Sequence, residues 1–339
     1  MGGHQRQVSV RIADSFASAV ADVQMETAGC PLKCAAGDDF VLKGADRLHG
    51  LPGAFSVVRC RGCGLMRTDP RPTPQSMALF YPTDYGPHQT GMVNTSSQPA
   101  SLPRRLLRAV GKLIQYNATR VPPVTPRRML EVGAATGAFM KLMAQAGWEV
   151  EGIEISETAA AKAREQGLRV STGSLEDALP ASASYDLIVG WMVLEHLHQP
   201  KLALEKLRRA LTPDGWLVIS VPNGASLEFK LFKENWYALD LPRHLFHFTP
   251  ATLRKLLAAS GWEVRRVLHQ RLLGNLAGSI GYGLRERNMA ATLARHLIEF
   301  PDKAGRRNQL LYPLALLFGA FGQTGRMTIW AQPTNSSRD

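Results

Sequence analysis

The stretch that most limits what this chain can fold into is Glu131-Val132-Gly133-Ala134-Ala135-Thr136-Gly137. It follows a short apolar run, Met129 to Val132, and leads into a helical pattern from Phe139 to Gln145. A strand that enters a helix through glycines lets the main chain turn sharply and lie against a ligand, because glycine carries no Cβ. The helix N-terminus adds free N–H groups and the positive end of the helix dipole. A second strand, Trp148 to Ile155, carries Glu154, 17 residues after Gly137. A carboxylate at such a strand end accepts hydrogen bonds from both hydroxyls of a ribose. The dinucleotide fingerprint G-x-G-x-x-G is not met, since Ala135 and Ala138 stand at its second and third glycines.

The alternation continues downstream. A helix at Glu157 to Gln166 is closed by Gly167 and followed by strands at Leu168 to Val170 and Tyr185 to Val189. A helix at Pro200 to Leu211 and the turn Thr212-Pro213-Asp214-Gly215 precede a strand at Trp216 to Val221. Thr249 caps a helix that opens with Pro250, and Trp262 to His269 is a sixth strand. Met327 to Ala331 supplies a seventh, closing the sheet. This order predicts an α/β fold: a Rossmann-like, doubly wound, mainly parallel seven-stranded sheet, with a small N-terminal module in front of it. The expected division is a weakly ordered extension at 1–25, a cysteine module at 26–70, a linker and basic helix at 71–120, and the α/β domain at 121–332. Within the last, 271–325 reads as helical cover or lid.

The Glu-x-Gly-x-x-x-Gly form resembles motif I of class I S-adenosylmethionine-dependent methyltransferases. Further segments resemble the same family in the same order: Gly173-Ser174-Leu175-Glu176-Asp177, Tyr185 to Val189, Val193-Leu194-Glu195-His196-Leu197, and Leu211 to Trp216. The resemblance covers roughly 127–270. It implies S-adenosyl-L-methionine as cofactor, with Gly133, Ala135 and Gly137 lining the loop under its methionine part. It implies that Glu131 steadies that loop, Glu154 binds the ribose, Ser174 and Leu175 flank the adenine, and Trp191 and Met192 lie near the sulfonium. Ala135 stands where the family often has a middle glycine, and alanine disfavours positive φ.

All four cysteines lie near the N-terminus, as Cys30-x3-Cys34 and Cys60-x2-Cys63 separated by 25 residues. Two such knuckles can complete a tetrahedral zinc site. Arg59 and Arg61 favour the thiolate form beside the second pair, and Phe40 to Leu42 and Phe55 to Val58 read as hairpin strands. Arg59 to Leu65, Asp69 to Pro72 and Phe80 to Tyr85 resemble the zinc ribbon that precedes the methyltransferase domain in many bacterial enzymes. Structural zinc is the expectation, with no catalytic role.

Methyl transfer to a hydroxyl benefits from a base tuned near neutrality. The candidates are His196, His244 and His247; the last two fall in Pro242-Arg243-His244-Leu245-Phe246-His247-Phe248-Thr249-Pro250, which resembles a stretch of a bacterial methyltransferase subgroup that covers the acceptor pocket. Relatives that bind a divalent ion at Glu-His carry a further Glu at the position of Met192, so catalytic Mg²⁺ is not expected. The Asn/Asp-Pro-Pro-aromatic motif of exocyclic-amine methylases is absent after the fourth strand, which argues against DNA as substrate.

A formal charge of +12 would suit an anionic partner, but the basic residues are dispersed in pairs and no aromatic–basic recognition motif stands out. A small-molecule acceptor is therefore the leading expectation, methylated on oxygen or carbon; the family analogy points to a glycan, a lipid-linked molecule or a secondary metabolite. The alternatives are an RNA methyltransferase anchored by the N-terminal module and a cofactor-binding scaffold without activity. No secretory signal is visible at the N-terminus, so a cytoplasmic location is expected. The apolar run from Leu310 to Gly322 falls short of the ~20 residues of a spanning helix. Its arginine-flanked leucines admit peripheral contact with the inner face of the membrane, and Gly274, Gly278, Gly281 and Gly283 suggest a mobile lid.

Overall fold

The computed structural model describes residues 23–81, 120–179, 184–303 and 311–334. The extension before residue 23, and the linker and expected basic helix between 82 and 119, lie outside the described residues. The first part of the chain forms β1 (Met25–Glu26), β2 (Asp38–Gly44), β3 (Phe55–Cys60), β4 (Met66–Thr68), β5 (Arg71–Pro72) and α1 (Pro74–Met77). The α/β part begins with β6 (Arg128–Val132), α2 (Ala138–Gln145), β7 (Glu149–Glu154), α3 (Glu157–Glu165), β8 (Arg169–Thr172), α4 (Leu175–Ala178), β9 (Tyr185–Trp191), α5 (Pro200–Arg209) and β10 (Leu211–Pro222). It continues with α6 (Leu227–Phe232), β11 (Phe246–His247), α7 (Pro250–Ala259), β12 (Trp262–His269), α8 (Gly274–Glu286), α9 (Ala291–Lys303), α10 (Tyr312–Ala320) and β13 (Arg326–Pro333).

The main sheet has seven strands in the order β12-β13-β10-β9-β6-β7-β8, parallel from β10 to β8. Its central strands are continuous apolar runs, such as Leu187-Ile188-Val189, because helices cover both faces. The expected seventh strand forms, but it does not close an edge. β13 inserts antiparallel between β10 and β12. Its burial explains the position: Met327, Thr328, Ile329 and Ala331 are all buried, the pattern of an interior strand, whereas β12 alternates as an edge strand does. The predicted turn at 212–215 is absorbed into β10 as an irregularity between Leu211 and Trp216.

The cysteine module is not a separate bead. Its sheet runs β11-β4-β3-β2, so its fourth strand comes from the segment between β10 and α7. Phe55, Val57, Leu65 and Met66 share one apolar core with Phe246, Phe248 and Leu253. Among the described residues, no helix is long and apolar enough to cross a membrane.

Between 271 and 325 the described residues form α8, α9 and α10, and the glycines of α8 have a packing role. A Cβ on Gly278 would lie 2.3 Å from the Tyr237 ring, and one on Gly281 would lie 2.8 Å from the Ala294 carbonyl. These glycines admit neighbours rather than loosen the helix. Gly278→Ala is therefore expected to lower the melting temperature by a few degrees, because about 1–3 kcal/mol of overpacking outweighs the ~1 kcal/mol gain in helix propensity. Calorimetry showing a stabilised variant would contradict this packing.

Candidate active site

The parallel strands end level with one another: Val132 pairs with Ile153 on one side and Gly190 on the other. Ligands of open α/β sheets bind at this carboxyl edge, where the strand order reverses. Here β6 delivers the glycine loop, with Gly133 at φ 72° and Gly137 at φ 78°. Both glycines are obligatory. A Cβ on Gly133 would meet Val193 Cγ2 at 2.5 Å, and one on Gly137 would meet Leu168 Cδ1 at 2.3 Å. Gly137 occupies the cap position of α2 with no side chain to fill it, which leaves the helix N-terminus open. Ala135 takes φ 47°, so the loop keeps the left-handed turn without the middle glycine and bears the strain.

Glu154 ends β7 beneath this loop. The Ala135 N–H donates to its Oε2 (2.8 Å) and the Ser156 N–H to its Oε1 (2.9 Å). A carboxylate has about four lone-pair sites, so two remain for hydroxyls. Beside it Ile155 is 71% exposed. An apolar side chain held in water next to a ribose-type carboxylate suits the face of a purine. Sequence reasoning missed Ile155, although its place directly after Glu154 is visible in the sequence. Ser174 caps α4, with its hydroxyl donating to Asp177 (2.7 Å), and Leu175 belongs to the core. Glu131 is buried with Oε2 unpartnered among the described residues, and burial holds its carboxyl well above the usual range. Trp191 is also buried with an unpartnered Nε1, and Phe139 meets its ring edge to face at 5.0 Å. Met192 is turned to φ 58°.

Two of the three candidate histidines come together. The His196 and His244 rings are 4.7 Å apart. His244 Nδ1 lies 2.9 Å from the Ala238 carbonyl. A carbonyl only accepts, so Nδ1 carries the proton and Nε2 the lone pair. That Nε2 is 4.0 Å from Glu195 Oε1 and 3.8 Å from Asp240 Oδ2. His196 Nδ1 lies 2.9 Å from the Tyr81 hydroxyl and 3.1 Å from the Arg243 carbonyl. His247 is placed differently: it lies in β11 of the module sheet, with its Nε2 3.2 Å from Thr68 Oγ1. Its position in β11 was hidden because the partner strand is remote in sequence.

Glu195 was read only as part of a family signature, yet it is the most unusual group here. It is fully buried, and neither carboxylate oxygen bonds another described residue. Burial pushes its carboxyl up to about 8. Burial pushes His244 down to about 3, with His196 adding to the effect. For Asp240, burial acts upward, but the charge of Arg243 prevails and holds the carboxyl below its ordinary value. At neutral pH the cluster thus contains a protonated Glu195, a neutral His244 and an ionised Asp240. The donor atoms of Glu195, His196 and His244 lie within 4.8 Å of one another. They offer one carboxylate, and Met192 adds no oxygen, so the group suits proton sharing better than a hard cation.

In the module, the four sulfur atoms lie within 4.8 Å of one another, with Cys30 and Cys63 at 3.5 Å. All four cysteines are free thiols. Tetrahedral zinc with Zn–S near 2.3 Å spaces its sulfurs by about 3.8 Å, so the set fits. The extra residue of the first knuckle is absorbed by Lys33 at φ 54°. Gly62 is required, since a Cβ there would lie 2.9 Å from Cys34 Cβ. Burial works against ionisation of Cys60, yet the N–H groups of Cys63 and Gly62 draw it down to about 7. The nearby arginines contribute less than expected, because Arg61 is engaged by Asp39 (2.6 Å) and Arg59 by Met66.

The buried acids and histidines set the pH dependence of stability. Glu195, Glu228 and Glu131 bind protons more tightly folded than unfolded. Stability is therefore lost as pH rises from the ordinary carboxyl range, near ~4.3, through about 8 for Glu195. His244 and His247 are held neutral, so stability is also lost as pH falls below ~6.5. Glu195→Gln removes one acid contribution and leaves the histidines. Its melting temperature relative to the parent is expected to climb from pH 5 to about pH 8 and to level off above it, and a difference that stays flat throughout would refute the burial-driven shift.

Residues 102–267 match a family profile described as a methyltransferase domain. A ubiquinone biosynthesis O-methyltransferase of Maricaulis maris is 30% identical over 156 residues, covering 42% of this chain and 61% of its own length. A protein of the same description from Bordetella avium is 29% identical over 143 residues, with 40% and 59% covered. A probable S-adenosylmethionine-dependent methyltransferase of Mycolicibacterium smegmatis is 29% identical over 147 residues, with 42% and 54% covered. The chain spans about three fifths of the length of the first of these relatives. That match spans the glycine loop and the strand-end Glu154 within the seven-stranded sheet, and the chain belongs to the class I S-adenosylmethionine-dependent methyltransferases.

Proposed function

We propose that the chain transfers a methyl group from S-adenosylmethionine to a hydroxyl of a small-molecule acceptor. The observation that carries this reading is His244: a neutral imidazole whose Nε2 lone pair is aimed between Glu195 and Asp240, beside the carboxyl edge of β9 and β10. The relatives named O-methyltransferases support oxygen as the accepting atom.

When bound, the cofactor supplies a methyl group activated by a sulfonium. The chain supplies the rest. Gly133, Ala135 and Gly137 form the floor of its site, Glu154 takes the ribose hydroxyls, and Ile155 covers the base. Trp191 and Met192 border the reacting centre. His244 Nε2 accepts the acceptor's hydroxyl proton as the new carbon–oxygen bond forms. The imidazolium then lies 3.8 Å from ionised Asp240, whose charge favours the protonated ring against the burial that holds free His244 low. Cys30, Cys34, Cys60 and Cys63 hold one structural zinc and take no part in the chemistry.

Glu154→Ala is expected to weaken S-adenosylhomocysteine binding about tenfold or more by calorimetry, through lost charge-assisted hydrogen bonds. His244→Asn is expected to leave that affinity intact and to lower turnover on an identified acceptor by roughly 10²–10⁴-fold. An unchanged affinity in the first variant, or an unchanged turnover in the second, defeats the corresponding assignment. For the module, elemental analysis of protein never exposed to chelator is expected to give about one zinc per chain. A value near zero rejects the metal.

A further inference from the structure

The residue before His244 is held by the cysteine module. The Arg243 guanidinium is fully buried, and all five of its N–H donors are used. Two go to the Asp46 carboxylate (2.7 and 2.9 Å) and one to the Phe80 carbonyl (2.9 Å), all within the N-terminal part of the chain. The other two go to Asp240. Asp46 is itself fixed by its own turn, where the N–H groups of Leu48 and His49 donate to Oδ1 at 3.0 Å.

The next residues are held as well. Thr68 Oγ1 donates to the His244 carbonyl (2.7 Å), and the Thr68 N–H donates to the Leu245 carbonyl (3.0 Å). Phe246 and His247 then pair with Arg67 and Met66 as β11 on β4. On the other side, the Leu245 N–H donates to the Glu195 carbonyl (2.8 Å), His196 Nδ1 lies 3.1 Å from the Arg243 carbonyl, and the Gly224 N–H donates to the Phe248 carbonyl (2.7 Å), which ties this segment to the α/β part. β4 begins three residues after Cys63, and β3 ends at Cys60, so the second knuckle is the turn of the β3–β4 hairpin. The glycine loop and Glu154 receive none of these bonds.

From this layout we propose that the cysteine module is the positioning half of the acceptor site. Through Asp46 and Thr68 it sets His244 against Glu195, and a metal ion on the four thiols is required for that setting but not for cofactor binding. Asp46 and Thr68 are positioning residues. The proposal rests on His244 lying in the acceptor site, and its test does not use turnover, so the two readings fail separately.

The test compares full-length protein in four forms: zinc-loaded, zinc-stripped by chelator, Thr68→Val, and Thr68→Ser. Three quantities are read: amide hydrogen exchange over 243–247, the ¹⁵N tautomer signals of His244, and calorimetric affinity for S-adenosylhomocysteine. Stripping is expected to raise exchange over 243–247 at least tenfold and to mix the two His244 tautomers, with the affinity kept within about twofold. Added zinc chloride reverses both changes. Thr68→Val, which loses only the hydroxyl, gives the same pattern, and Thr68→Ser restores the parent behaviour. Should stripping prevent folding altogether, the Thr68 pair and Asp46→Asn carry the same comparison on zinc-loaded protein. Exchange and tautomer unchanged in the stripped and Thr68→Val forms would overturn the proposal. So would a loss of S-adenosylhomocysteine affinity in step with the exchange, since that marks general loosening.

Discussion

A cation without access to water organises the acceptor half of this protein. Arg243 is surrounded by two carboxylates and a carbonyl, drawn from places as distant in sequence as Asp46 and Asp240. Removing one partner of a buried ion pair leaves a charge that neither water nor protein solvates, at a cost of roughly 3–5 kcal/mol. The arrangement is therefore tolerable only when the module, the end of α1's connection and the 240–247 segment are all in place. His196 and His244 inherit their positions from it, through the Arg243 carbonyl and the peptide bond that follows. One buried guanidinium thus links two parts of the chain that the sequence separates.

The cofactor half obeys a different constraint, the closeness of backbone to ligand. Gly133 and Gly137 are fixed by contacts with Val193 and Leu168 as much as by their left-handed φ. Ala135 and Met192 hold left-handed backbone without being glycine, and both lie on loops at the carboxyl edge of the sheet. Strain of order 1–3 kcal/mol at such positions persists only where the surroundings over-determine it. In the same loop region Glu131 is buried with Oε2 bonding no other described residue, where buried polar atoms normally find partners.

These two halves were unequally legible in the sequence. The glycine loop, Glu154 and the paired cysteines are local patterns, in which spacing and chemistry coincide within a few residues. The sheet class followed from periodicity, but the insertion of β13 between β10 and β12 did not, since a strand's neighbours are set by packing at long range. His244 was readable as a candidate, whereas Asp46 was not: nothing in a turn aspartate announces an arginine 197 positions away. His247 looked equivalent to His244 because both sit in one motif, and only the pairing of β11 with β4 shows that their surroundings differ. The cap that Ser174 places on α4 was not read from the sequence.

The central claim is that the loop at 131–137 and Glu154 form an S-adenosylmethionine site and not a nicotinamide-dinucleotide site. It is tested most directly by thermal unfolding of the full chain with S-adenosylhomocysteine or with NAD, each at saturating concentration. A ligand at 100 times its Kd stabilises the folded state by about 2.7 kcal/mol, a rise of several degrees for a chain of this size. The account predicts that rise with S-adenosylhomocysteine and none with NAD. A rise with NAD, or no response to S-adenosylhomocysteine, would contradict it.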